Sequence, residues 1–220
     1  MFMKKSFLII ILATLALMSM HVSAQGLKDS GKSVADVVPN GWESIFKTGD
    51  LNNDGIADLV VVATPCDKDK MQTRDDGYVY NFNQPVLAIY WGEKSGNYKM
   101  FKKYDNAIPA RESEFISITP EVNITKKGVL EIKLEFFATA GSWTQPTTTH
   151  LFRYQQGDFF LIGKDVVELE RTTGKTVTTS ENYLTRKRVV TTERPMRKAI
   201  VKRTSLPKNK LKPLGFNLDD

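Results

Sequence analysis

Asp50, Asn52, Asp54 and Asp58 place side-chain oxygens at positions 1, 3, 5 and 9 of one short run, Asp50-Leu51-Asn52-Asn53-Asp54-Gly55-Ile56-Ala57-Asp58. That spacing suits a hard divalent cation. Calcium takes about six to eight oxygens at about 2.3–2.6 Å, and a short loop supplies them by curling around the ion. Asp50, Asn52, Asp54 and Asp58 would point inward, with the Ile56 carbonyl as a fifth ligand. Gly55 gives the sharp bend without a Cβ clash. An Asx-rich turn that holds itself together without metal is the alternative, since Asn and Asp favour turns on their own. Three carboxylates in one turn repel each other without a cation, so the expected cofactor is a structural Ca2+. Five protein ligands leave positions for water, and the affinity expected is weak, on the order of 10⁻⁴–10⁻³ M.

The elements on either side decide what kind of loop this is. An EF-hand needs a bidentate Glu at position 12 and a helix on each side. Position 12 here is Val61, within the β-branched run 57–64, which reads as a strand buried on both faces. The residues before the loop, 41–47, are also strand-like. The loop is therefore expected to close a hairpin. In this setting the text Gly49-Asp50-Leu51-Asn52-Asn53-Asp54-Gly55-Ile56-Ala57-Asp58-Leu59-Val60-Val61 resembles the calcium-binding loops of FG-GAP repeats. Those are the β-propeller repeats of integrin α-subunits and many bacterial surface proteins. A complete propeller of that type carries seven such repeats, and this chain has one. Phe152-Arg153-Tyr154-Gln155, Leu161-Ile162-Gly163 and Ser180-Glu181-Asn182-Tyr183-Leu184-Thr185 resemble the later part of secreted bacterial proteins with a single FG-GAP-like loop. The resemblance implies a fold family and no particular activity.

From about 41 to 185 the chain reads as an all-β domain. Short strands alternate with turn signals, as at 85–91, 98–102, 115–119 and 130–136. No segment sustains a 3.6-residue apolar period. Such hairpin-linked strands predict an antiparallel meander arranged as a sandwich or as partial-propeller-like sheets.

Residues 1–24 read as a secretory signal peptide: Lys4 and Lys5, an apolar stretch from Phe7 to Met18, then Val22-Ser23-Ala24 before the cut. This predicts an exported protein, periplasmic or extracellular, with no transmembrane segment after cleavage. Residues 25–40 read as a linker. The one cysteine, Cys66, allows no intramolecular disulfide and reads as a small residue at the edge of the core.

Charge divides the chain. Residues 186–212 carry eleven Lys or Arg against the single acid Glu193, whereas 25–185 have a net charge of −4. The segment 186–220 therefore reads as a basic C-terminal extension, either solvated or attached electrostatically to an anionic surface. Aromatics interleaved with the charges are missing, which argues against specific nucleic-acid recognition.

Catalytic groups are sparse. Beyond the signal, His150 is the only histidine, in register with Phe152 and Tyr154, and no Gly-x-Ser-x-Gly elbow exists. One His and one Cys cannot make a zinc site. Glu131 and Glu135 share a strand face with Lys133, and Glu112 and Glu114 flank a loop. Trp42 and Trp91 lie in strand patterns, whereas Trp143 falls in the loop 140–146 and is a candidate ligand contact. The function expected is that of an exported, non-enzymatic, calcium-binding β protein serving as an interaction module of the bacterial envelope. Its partners would be calcium and an anionic envelope component or another protein. The alternative is a carboxylate-based hydrolase acting on envelope polysaccharide.

Overall fold

The computed structural model describes residues 26–139 and 142–219. The signal peptide expected over 1–24 lies outside them. The fold is all-β and antiparallel. Its elements are β1 (Ser30–Gly31), α1 (Val34–Val37), β2 (Glu43–Gly49), β3 (Asp58–Thr64), β4 (Met71–Thr73), β5 (Val79–Asn81), β6 (Val86–Gly92) and β7 (Tyr98–Tyr104). A second run follows: β8 (Ile116–Ile124), β9 (Val129–Ala138), β10 (Thr144–Gln155), β11 (Asp158–Glu170), β12 (Lys175–Asn182), β13 (Lys187–Glu193) and β14 (Ile200–Ser205). The first run forms a five-stranded sheet, β1-β7-β6-β3-β2, with β4 and β5 as a separate hairpin. The second is a seven-stranded meander from β8 to β14, curled like half a barrel. Among the described residues no helix is long and apolar enough to cross a membrane.

The strand period of two sorts β3 between two cores. Val60 and Val62 point toward the meander and join Leu87, Ile89, Leu130, Ile132, Phe152 and Phe159. Leu59, Val61 and Ala63 point the other way, where Val37 and Val38 cover them. This explains the unbroken apolar run: both faces of the strand are covered. On β9 the alternation is clean. Leu130, Ile132 and Leu134 are buried, and Lys133 reaches outward to pair with Glu121 at 2.5 Å.

Two segments are more integrated than their sequences suggest. The described part of the expected linker, 26–40, pairs through β1 with β7 and buries Val37 completely. The basic segment 186–220 supplies β13 and β14, then returns to the main core with Leu214 and Leu218, 3% and 1% exposed. Each Leu stabilises by roughly 1.5–3 kcal/mol once removed from water, while the neighbouring Lys208, Lys210 and Lys212 stay exposed.

Candidate metal-binding loop and its surroundings

The β2–β3 hairpin ends on the pair Gly49↔Asp58, and residues 50–57 form the loop between them. Two left-handed residues turn it, Asn53 at φ 62° and Gly55 at φ 82°. Loop amides then hold the acidic side chains. Asp50 accepts from the backbone N–H of Asp54 at 3.2 Å and of Gly55 at 2.9 Å. Asn52 Oδ1 accepts from the same Asp54 N–H at 3.0 Å. Asp54 Oδ1 accepts from Ile56 N–H at 2.8 Å, and its Oδ2 from Asn52 Nδ2 at 3.0 Å. These bonds gather Asp50, Asn52 and Asp54 about one short turn.

Asp58 is used differently. It is fully buried, and its oxygens take the N–H groups of Leu51 at 2.8 Å and Gly92 at 2.9 Å. Burial raises its pKa, and the Asp54 and Asp50 carboxylates add to the rise, while the two amides oppose it. Leu51, 1% exposed, anchors the loop from the other side by entering the main core. The β8–β9 turn closes over it: a Cβ on Gly128, at φ 68°, would sit 3.0 Å from the Asp50 carbonyl oxygen and 3.2 Å from that of Leu51.

The donor set is chemically suited to a hard cation. Asp50, Asn52 and Asp54 are partly or fully exposed, the backbone carbonyl of Ile56 is the fourth candidate, and each hydrogen-bonded carboxylate oxygen keeps a lone pair. Asp58 retains acceptor capacity as well, but both its oxygens already serve buried amides. Among the described residues no three His, Cys, Asp or Glu side chains converge as a metal-holding group.

Trp143 is 72% exposed immediately before β10, and its carbonyl accepts from Arg171 N–H at 2.9 Å. Its loop is shorter than the sequence suggests, since Pro146 already pairs with Glu168 inside β10; residues 140 and 141 lie outside the described ones. Trp42 and Trp91 pack against the two cores. His150 is 1% exposed, with its ring near those of Phe152 and Phe216, and its Nδ1 has no hydrogen-bond partner among the described residues. Burial, aided by Lys164 and Lys212, pushes its pKa down to about 4. Cys66 is half-buried, 3.8 Å from Asn81 Nδ2. Of the carboxylates weighed for hydrolysis, Glu131 accepts from Asn123 at 2.8 Å, and Glu112, Glu114 and Glu135 are exposed.

Comparison of the chain with protein-family models, with curated proteins and with solved structures returns no match. One feature had no signal in the sequence. Residues from 206–212, together with Leu161 of β11, Glu181 of β12 and Arg188 of β13, border a half-open cavity of about 340 Å³. Its walls come from segments some 50 residues apart, Leu161 and Leu211 among them.

Proposed function

We propose that this chain is an exported calcium-binding β protein that works as an interaction module rather than an enzyme. The observation that carries the reading is the gathering of Asp50, Asn52 and Asp54 about a single turn by the amides of residues 54–56. Those three side chains and the Ile56 carbonyl would hold the ion, with Asp58 bracing the loop from beneath. Bound calcium would supply charge neutralisation where carboxylates crowd. The chain's own contribution is positioning: Leu51 and Asp58 fix both ends of the loop to buried groups, so little ordering is left to accompany binding.

The basic strands give the module an electrostatic face. Lys187, Lys202 and Arg203 lie on β13 and β14, in the register Lys187↔Ser205, Val190↔Lys202 and Val189↔Arg203. Alternation puts positive charge on both faces of this sheet edge. Charged edges resist strand-to-strand aggregation; this one would also attract an anionic envelope component.

Isothermal calorimetry with CaCl₂, paired with thermal melting at the same concentrations, tests the calcium reading. Binding heat is expected, together with a gain of roughly 2.7 kcal/mol at a hundredfold excess over the dissociation constant. Absence of both heat and a melting shift would remove calcium from the account.

A further inference from the structure

We propose that the cavity beneath residues 206–212 binds a small organic acid, a carboxylate carrying an apolar chain. The site lies on the seven-stranded sheet and is independent of the calcium loop.

The roof is a strap fixed at both ends. Leu206 N–H donates to the Arg186 carbonyl at 2.8 Å, and Leu161 N–H donates to the Lys212 carbonyl at 2.9 Å. Leu214 N–H then donates to Phe159 at 2.8 Å, and Pro213 bridges to Phe160. Among the described residues, no backbone hydrogen bond ties 207–211 to the sheet. The strap thus spans the gap on its anchors alone, and the space below it measures about 340 Å³. Binding pockets begin at about 300 Å³, so this one suits a small ligand.

The lining combines hydrocarbon with an excess of positive charge. Leu161, Leu206 and Leu211 supply hydrocarbon, and Leu161 is 8% exposed. Among the described residues Glu181 is the one acid in the wall, and its charge is already answered. Arg188 pairs with it, and the Tyr183 hydroxyl donates to it at 2.7 Å. Burial, with the Glu181 carboxylate, holds that phenol above its usual range, so it stays a donor. Lys210 and Lys212 also line the cavity, and neither has an ion-pair partner among the described residues. The ammonium of Lys212 rests 3.5 Å from the ring centroid of Phe216, a residue that packs beside His150 outside the lining. The cavity wall therefore keeps two positive charges in excess beside a hydrocarbon interior. That is the complement of an amphiphilic anion, whose headgroup gains charge-assisted hydrogen bonds while its chain leaves water.

Decanoate is the probe, titrated into the purified protein and followed by ¹H–¹⁵N chemical shifts. Saturable shifts are expected at the amides of residues 206–212 and at Leu161. Decyltrimethylammonium tests charge, and inorganic phosphate tests the need for a chain; both should bind at least about tenfold more weakly. The double variant Lys210→Glu/Lys212→Glu should raise the decanoate dissociation constant by about tenfold or more. Lys208→Glu, which reverses a strap charge outside the lining, should leave it within about twofold. Leu211→Gln probes the apolar interior without touching charge and should also weaken decanoate, with melting curves confirming that each variant is folded. Equal binding of the cationic analogue, equal loss in Lys208→Glu, or no saturable shift at the strap would overturn the site.

Discussion

Gly92 donates its backbone N–H to Asp58 at 2.9 Å, so the last residue of β6 is fastened to the first residue of β3 by a buried carboxylate. The approach is close enough that a Cβ on Gly92 would lie 2.1 Å from the Ala57 carbonyl oxygen. Asp58 therefore belongs both to the loop pattern and to the five-stranded sheet, and changes at the two residues should be felt in both.

Gly92→Ala should destabilise the protein by about 2 kcal/mol or more, because the obstructing atom is backbone and the strand must shift to make room. Urea denaturation at neutral pH measures this.

Asp58→Asn should cost about 1–3 kcal/mol even with no calcium present. An amide can offer only one acceptor oxygen to the Leu51 and Gly92 donors, and its NH₂ faces the other. Asp54→Ala should instead leave metal-free stability within about 1 kcal/mol, the usual range for an exposed site, while abolishing the calcium-dependent rise in melting temperature. Melting both variants with EDTA and with calcium separates bracing from ligation. A calcium response preserved in Asp54→Ala would exclude that residue as a ligand.

His150 should make the fold acid-sensitive. Its folded pKa, about 4, lies below the ordinary 6.5, so between those values the unfolded chain binds a proton that the native state does not. Stability from this group is complete above about 6.5 and is lost as pH falls toward 4, on the order of 3 kcal/mol in total. His150→Leu should flatten that part of the stability–pH curve, and at neutral pH should cost little, since it also removes an unpartnered buried nitrogen. Urea midpoints between pH 4.5 and 7 provide the comparison.

Electrostatic attachment is best tested by charge reversal and not by deletion. Removing 186–220 would take away two strands and the buried Leu214 and Leu218, and should cost several kcal/mol. Lys202→Glu/Arg203→Glu, on the fully exposed β14, should keep the melting temperature within a few degrees and reduce retention on anionic liposomes several-fold. Unchanged retention on those liposomes would show that the basic edge is not the contact.

Periodicity and turn chemistry made the all-β class legible. The alternation of Leu130, Ile132 and Leu134 with charged residues and the unbroken run 59–63 each predicted the burial that is found. The left-handed bend at Gly55 follows from residue type alone, because glycine tolerates positive φ. Such features depend on neighbours in sequence, and a sequence states those directly.

What lies across the sheets was decided only by tertiary structure. Nothing near Asp58 announces that its partner is an amide 34 residues away. No local pattern tells that a lysine-rich segment ends with two leucines in the core, or that 26–40 covers the outer face of β3. Nor does any motif mark a cavity whose floor is Leu161 and whose roof is residues 206–212. Short-range preferences fix strand, turn and face, whereas long-range pairing depends on which faces find each other once the chain collapses.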